Sequence, residues 1–227
     1  MREPRQNSRA AFVSGILEWG EKNRRDFPWR HTDNPYDVFV AESLVQRTRA
    51  SQVAPAYRSF LRRWPDIQSL AGARERDIMS VIGTLGLAYR ARRIRKTAAG
   101  IVRLFEGKVP HTLAELKELY GSGFGDYIAH AILCFAFAQD TPVVDKNVER
   151  ILKRVFSFPA RKDGHRDPAL WAFAGELVPS GKAREYNWSL IDFGALVCTP
   201  KNPRCPTCPL LDLCEFGKEP MRRLKPT

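Results

Sequence analysis

Four cysteines near the C-terminal end of the chain are the residues whose type and spacing point most directly to chemistry. Cys198, Cys205, Cys208 and Cys214 follow the spacing C-x6-C-x2-C-x5-C. Thiolates are soft ligands, so a group this dense predicts one shared metal centre. Structural zinc sites commonly combine two C-x2-C pairs, and the single pair here favours an iron–sulfur cluster over zinc. The fifth cysteine, Cys134, lies in the apolar run AILCFAFA and is predicted to be a core residue.

A first carboxylate with a suggestive position is Asp145. It directly precedes apolar residues at helical spacing, namely Val148, Ile151, Leu152 and Val155. This position predicts a helix N-cap, which stabilises a helix by about 1 kcal/mol. A rigid carboxylate can also stabilise positive charge that develops on a sugar. The sequence is compatible with either interpretation.

A second carboxylate, Glu42, lies among the apolar residues Phe39, Val40, Leu44 and Val45. Burial of a carboxylate is costly unless it is paired or protonated, and burial raises its pKa. A raised pKa suits a general acid that works near neutral pH. The alternative is a solvated glutamate on the polar face of the helix.

Three glycines, Gly121, Gly123 and Gly125, precede a further apolar helix. A glycine-rich turn at a helix N-terminus presents backbone N–H groups and a positive dipole end, which suits a phosphate group. An ordinary turn between two helices is the alternative.

The elements that must position these residues are predicted to be helices throughout. Apolar residues recur at helical spacing, as in the segment that begins with Ala11, Ile16 and Leu17 and ends near Trp19. Proline and glycine separate these segments, and neither alternating strands nor internal repeats are evident. The sequence therefore predicts an all-α fold with short basic tails.

The charge of the chain indicates a polyanionic partner. Its 227 residues carry a net charge of +12 with a pI near 9.8, and nucleic acid is the commonest partner of such a protein. A basic surface kept for solubility is the alternative. No run approaches the roughly 18 apolar residues of a membrane span, and the N-terminus leads into no signal-peptide core. We therefore expect a cytoplasmic protein, nucleoid-associated if prokaryotic, whose reduced cysteines act as ligands.

Together these motifs resemble the helix–hairpin–helix DNA glycosylases of the endonuclease III superfamily. The stretch 121–127 corresponds to the hairpin, Asp145 to the catalytic aspartate, and the four cysteines to the [4Fe–4S] loop. The resemblance extends from Phe27 to Cys214 and implies two helical subdomains with a DNA cleft between them. Residues 1–28 and 135–227 would form one subdomain, including the loop at 198–214. Residues 29–134 would form an inserted six-helix subdomain that ends in the helix–hairpin–helix motif at about 114–134.

Two branches of this superfamily are similar to the chain. Glu42, the stretch 46–48 and the stretch 145–148 resemble both the adenine glycosylases and the thymine/uracil–G mismatch glycosylases. The stretches 27–32, 47–48 and 178–182 resemble the mismatch branch more closely. The chain also ends soon after the cysteines, without the second domain typical of adenine glycosylases. We therefore expect removal of T or U opposite G. Alternatives are an adenine glycosylase acting opposite G or 8-oxoguanine, and a non-catalytic iron–sulfur DNA-binding module.

The resemblance implies roles for three residues in hydrolysis of an N-glycosidic bond on a flipped nucleotide. Asp145 would stabilise the positively charged sugar and orient the attacking water. Glu42 would donate a proton to the departing base, directly or through water, and Tyr127 would shape the pocket. Bifunctional members have a lysine where Tyr127 stands, so the chain is predicted to be monofunctional, without strong AP-lyase activity.

The resemblance also implies contacts to double-stranded DNA that contains a mismatched or damaged base, made by a monomer. Gln46 and Arg47 would fill the space left by the flipped base, and Leu87 would be an apolar wedge, with a core leucine as the alternative. Further contacts are expected at Gly121, Gly123, Gly125, Lys146, Lys201 and Arg204. Asp126 departs from the family by placing a negative charge beside the phosphate site. The densest basic run, predicted to be partly DNA-facing and otherwise solvated, comprises Arg90, Arg92, Arg93, Arg95 and Lys96.

Overall fold

The all-α prediction is confirmed by a computed structural model, which describes residues 6–46, 48, 50–85, 88–120, 125–159 and 167–218. Within these ranges the chain forms α-helices and short 3₁₀ turns, and no β-strand. The helices are α1 (Gln6–Asn23), α2 (Pro35–Val45), α3 (Ala50–Arg63), α4 (Ile67–Ala71), α5 (Glu75–Ile82), α6 (Ala88–Phe105), α7 (Leu113–Glu118), α8 (Asp126–Phe135), α9 (Lys146–Phe156), α10 (Pro168–Gly175) and α11 (Ala183–Leu196).

The chain divides into two compact units. Residues 1–25 and 139–227 form one, here called the terminal unit, and residues 26–138 form the other, here called the central unit. The terminal unit contains α1, α9, α10, α11 and the cysteine-rich segment. The central unit contains α2 to α8.

In the terminal unit, α1 lies along α11 at very short distance. A Cβ atom added to Gly20 would lie only 1.9 Å from the Oγ atom of Ser189, so the approach of the two helices requires glycine. Helix α9 buries Val148, Ile151 and Leu152 in the same core, as the sequence predicts. The apolar stripe of α9 therefore faces the core, and its polar stripe is left for other contacts.

In the central unit, α2 is buried on most of its surface. Asn34 caps the helix by accepting the Tyr36 N–H, and Pro35 occupies the first position, where its missing N–H costs nothing. Phe39 and Leu44 are 1% and 0% exposed, so a polar residue on this helix must find its partner inside the protein. Cys134 on α8 is fully buried, and its prediction as a core residue is confirmed.

No helix in the described part of the chain is both long and apolar enough to span a lipid bilayer.

Candidate functional site

Asp145 caps α9, and both oxygens of its carboxylate are held. Its Oδ1 atom accepts the backbone N–H groups of Asn147 and Val148, each at 2.8 Å. Its Oδ2 atom accepts the side-chain amide of Asn147 at 2.7 Å. The N-cap prediction is therefore confirmed. The three donors also fix the direction of the carboxylate, which is what a group that acts on developing charge requires.

Asn147 is itself positioned by a second layer of contacts. Arg150 donates to the Oδ1 atom of Asn147 at 2.8 Å, to the carbonyl of Gly194 at 2.7 Å and to the carbonyl of Cys198 at 2.7 Å. A Cβ atom at Gly194 would lie 2.4 Å from the Cβ atom of Asn147, so the backbone of α11 packs directly against this side chain. Asp145 is thus connected through Asn147 and Arg150 to the start of the cysteine-rich segment.

Opposing effects act on the ionisation of Asp145. Burial raises the pKa of Asp145 above its ordinary value. The hydrogen bonds from Val148 and Asn147, together with the positive charge of Arg150, lower this pKa and offset part of the effect. Because the folded-state pKa is raised, the ionised carboxylate is present at pH values above that pKa. It is lost on acidification earlier than the carboxylate of a solvated aspartate.

Glu42 and Tyr127, which are 85 positions apart in sequence, form a direct pair. Glu42 lies in the middle of α2 with only 5% of its surface exposed. Its Oε2 atom accepts the hydroxyl of Tyr127, the second residue of α8, at 2.7 Å. Of the two interpretations that the sequence allows for Glu42, burial is therefore the one observed. The hydroxyl of Tyr127 therefore fixes the orientation of this buried carboxyl group.

Arg90 contradicts the prediction for the basic run 90–96. It is neither solvated nor DNA-facing, because only 4% of its surface is exposed. Its guanidinium donates to the carbonyls of Leu44 at 2.8 Å and Ser43 at 3.3 Å, and to the hydroxyl of Thr48 at 3.4 Å. Helix α2 ends at Val45, and the last carbonyls of a helix lack partners within it. Arg90 therefore caps the C-terminus of α2.

The rest of that basic run lies nearer the surface. Arg95 is partly buried and pairs with Glu75 at 3.4 Å. The exposed members are Arg92, Arg93 and Lys96. Gln46, the residue after α2, is partly buried and lines a small pocket with Arg90 and Arg93.

The structure describes the predicted hairpin, residues 121–127, only from Gly125 onward. Gly125 is the N-cap of α8 with extended backbone, and a Cβ atom there would meet no described atom within 4 Å. The unusual Asp126 is exposed, and its carboxylate accepts the hydroxyl of Tyr120 at 2.7 Å. Other predicted DNA contacts that lie outside the described residues are Arg47, Leu87, Gly121 and Gly123.

The four clustered cysteines form a common group in the terminal unit, and none of them is in a disulfide. Burial raises the pKa of the Cys208 thiol to about 11, and charges on the other three thiols, Cys214, Cys198 and Cys205, raise it as well. Four neighbouring thiols suit an iron–sulfur cluster, in which each thiolate binds a separate iron. Among the described residues, no three His, Cys, Asp or Glu side chains are arranged to hold a single metal ion.

The three remaining basic residues predicted to contact DNA are exposed. Lys201 and Arg204 lie between the first two cysteines, and the backbone N–H of Arg204 donates to the carbonyl of Val197 at 3.0 Å. The side chain of Lys146 is 61% exposed and pairs with Glu149 at 3.0 Å.

Comparison with known proteins identifies the family. Residues 40–172 match the family described as HhH-GPD superfamily base excision DNA repair protein. Residues 198–214 match the iron–sulfur binding domain of endonuclease III. The chain belongs to the HhH-GPD superfamily of base excision DNA repair proteins. It is an enzyme of the DNA glycosylase class, and it carries the [4Fe–4S] domain of endonuclease III, as the cysteine spacing predicts.

Several relatives cover nearly the whole chain. A thymine-DNA glycosylase of Aeropyrum pernix is 38% identical over 88% of this chain and 92% of its own length. A thymine/uracil-DNA glycosylase of Pyrobaculum aerophilum is 38% identical over 94% of each chain. The human adenine DNA glycosylase is 34% identical over 90% of this chain, which spans 39% of that protein. The solved structure of a thermostable thymine-DNA glycosylase superposes with a TM-score of 0.87 at 33% identity, covering 94% of this chain and 98% of that one.

The residues that support Asp145 and the cysteines were not predicted from the sequence. These are Asn147, Arg150 and Arg154, which recur at helical spacing on one face of α9. The signal was therefore present as a polar stripe beside the apolar one. The roles of these side chains could not be predicted, because their partners lie about 45 positions away, in the segment 194–200.

Proposed function

We propose that the protein is a monofunctional DNA glycosylase that releases thymine or uracil opposite guanine and leaves an abasic site. The observation that carries the substrate assignment is its similarity, over nearly its full length, to glycosylases named for thymine and uracil. The reaction flips the mispaired nucleotide out of double-stranded DNA and hydrolyses its N-glycosidic bond.

In this proposal Asp145 acts on the sugar. As the bond to the base breaks, positive charge develops on the sugar, and a fixed carboxylate stabilises it without having to reorient. The three hydrogen bonds from Asn147 and Val148 support this role, because they hold both carboxylate oxygens in place. The same carboxylate orients the water that attacks the sugar carbon.

Glu42 acts on the base. A departing thymine or uracil leaves more easily once it is protonated, and a buried carboxyl group is suited to donate that proton, directly or through a water molecule. The hydroxyl of Tyr127 holds the Oε2 atom of Glu42 and forms part of the pocket wall.

Tyr127 also supports a monofunctional reaction. Cleavage of the DNA strand by a glycosylase proceeds through a Schiff base, which requires an amine. A phenol cannot form that adduct, and the Tyr127 hydroxyl is engaged by Glu42. Hydrolysis by water therefore leaves the abasic strand intact.

Binding of the DNA is assigned to two sets of residues. We propose that Gln46, Arg47 and Leu87 occupy the gap in the base stack. Phosphate contacts would come from Gly121, Gly123, Gly125, Lys146, Lys201 and Arg204. The proposal treats the active species as a monomer.

The decisive experiment is single-turnover excision from four duplexes, containing T/G, U/G, A/G and A/8-oxoguanine. We expect release of T and U. The Asp145→Asn variant should lose about 10²–10³-fold or more in rate while still binding DNA. Asparagine is also a good N-cap, so α9 should stay folded. Asp66→Asn is a matched control, since Asp66 caps α4 by accepting the Ser69 N–H at 2.7 Å, and it should retain full activity.

The other outcomes separate the alternatives. Release of adenine alone would contradict the thymine/uracil assignment and favour an adenine glycosylase. No release from any of the four duplexes would contradict catalysis and leave a DNA-binding module. Strand breaks that appear without alkali or heat would contradict the monofunctional assignment.

A further inference from the structure

Arg154 connects α9 to the start of the cysteine-rich segment through three donor contacts. Its Nη1 atom lies 2.7 Å from the carbonyl oxygen of Thr199 and 3.4 Å from the Sγ atom of Cys198. Its Nη2 atom donates to the carbonyl of Pro200 at 2.9 Å. A guanidinium group has several donors in one rigid plane, so it can satisfy these three acceptors at once.

The same residue contacts the other end of the segment. Its guanidinium carbon lies 4.6 Å from the centre of the Phe216 ring, within the range of a cation–π interaction. The thiol of Cys214 lies 3.5 Å from the backbone carbonyl of Arg154. Arg154 therefore contacts both ends of the segment that contains the four cysteines.

Cys198 is held by a different set of contacts from the other three cysteines. The other three cysteines are linked by short backbone turns: Cys208 N–H donates to Cys205, Leu211 N–H to Cys208, and Cys214 N–H to Leu211, each at 3.1 Å. Cys198 is separated from the next cysteine by six residues, the longest interval in the motif. Its N–H donates to the carbonyl of Phe193 at 2.9 Å and its carbonyl accepts Arg150 at 2.7 Å, while its Sγ atom is contacted by Arg154.

We propose that Arg154 is a positioning residue for the iron–sulfur cluster, which orients Cys198 as a ligand and places a positive charge and an N–H donor beside its sulfur. The proposal rests on Cys198 being a ligand, and it is independent of the base that the enzyme removes. A positive charge and an N–H···S hydrogen bond stabilise the more negative, reduced form of a cluster. Arg154 should therefore slow loss of the cluster and also raise its reduction potential.

The test compares three variants of the cluster-loaded full chain. Arg154→Met keeps the length of the side chain and removes charge and donors. Arg154→Lys keeps the charge and loses the planar fork. Lys22→Met removes one positive charge from an exposed side chain of the same unit and serves as the control. The measurements are iron and sulfide per chain, the rate of bleaching of the visible absorption under a chelator, and the reduction potential on an electrode without DNA.

We expect bleaching about 10- to 100-fold faster for Arg154→Met, the usual cost of losing an outer-shell partner, with a more negative potential. Arg154→Lys should bleach at an intermediate rate with a potential close to wild type, and Lys22→Met should match wild type in both. Wild-type bleaching or an unchanged potential in Arg154→Met would overturn the proposal. If Arg154→Met cannot be obtained with a bound cluster, a bleaching rate of Arg154→Lys equal to that of the wild type would overturn the proposal. Absence of iron and sulfide from the wild type would overturn the ligand set and this proposal with it.

Discussion

The ionisation of Asp145 depends in part on the side chain of Asn147. The amide of Asn147 donates to its Oδ2 atom at 2.7 Å and lowers its pKa, against the effect of burial. The Asn147→Ala variant keeps the Cβ atom that packs on Gly194 and leaves the two backbone donors in place. The side-chain donor to Asp145 is lost, and with it the Oδ1 atom that accepts Arg150 at 2.8 Å.

We therefore expect Asn147→Ala to raise the pKa of Asp145 further. The proposed mechanism requires the ionised carboxylate, so the acidic limb of the pH–rate profile should move to higher pH. The excision rate at pH values above that limb should fall less. The position of the acidic limb is measured by single-turnover excision from a U/G duplex across a pH series. An acidic limb at the wild-type pH would contradict the role assigned to the amide.

The end of α2 gives a prediction at the level of a secondary-structure element. Arg90 is buried and supplies donors to the carbonyls of Ser43 and Leu44, which the helix cannot satisfy itself. Arg90→Met should reduce the free energy of unfolding by about 3 kcal/mol, because charged hydrogen bonds to buried acceptors are lost.

Arg92→Met is the matched control for this experiment. Arg92 lies on the same helix, α6, but its side chain is exposed, so the change should stay within about 0.5 kcal/mol. Urea unfolding of both variants provides the measurement. Equal stabilities for the two would show that Arg90 is not a structural cap.

At the scale of the whole molecule, the net charge of +12 predicts DNA binding that weakens steeply with salt. Lys201 and Arg204 are exposed within the cysteine-rich segment. If each contacts one phosphate, the double variant Lys201→Met, Arg204→Met should lower the slope of log K against log salt by about 2. Lys22→Met should leave the slope unchanged. Fluorescence anisotropy over a salt series measures this slope for each protein. An unaltered slope in the double variant would exclude both phosphate contacts.

Local patterns in the sequence were enough to predict the all-α class, helix α9 with Asp145 as a possible cap, and a shared metal centre at the cysteines. The stripe from Val148 to Val155 predicts α9, and Asp145 caps it by bonding to residues only two and three positions away. The four cysteines lie within 17 positions, 198–214, so their spacing alone indicates a shared centre. The prediction for Arg90 within the basic run 90–96 was wrong, because helical periodicity does not reveal that this side chain meets the end of another helix.

The sequence by itself therefore determined the all-α class, the family and the iron–sulfur segment, because periodicity, caps and ligand spacing are short-range properties of the chain. Tertiary structure decided which polar groups are buried and what they contact. Glu42 meets Tyr127 across 85 positions, and Arg150 meets Cys198 across 48. Such pairs depend on the path of the chain between them, and burial then makes each partner necessary, since an unpaired charge inside the protein is costly.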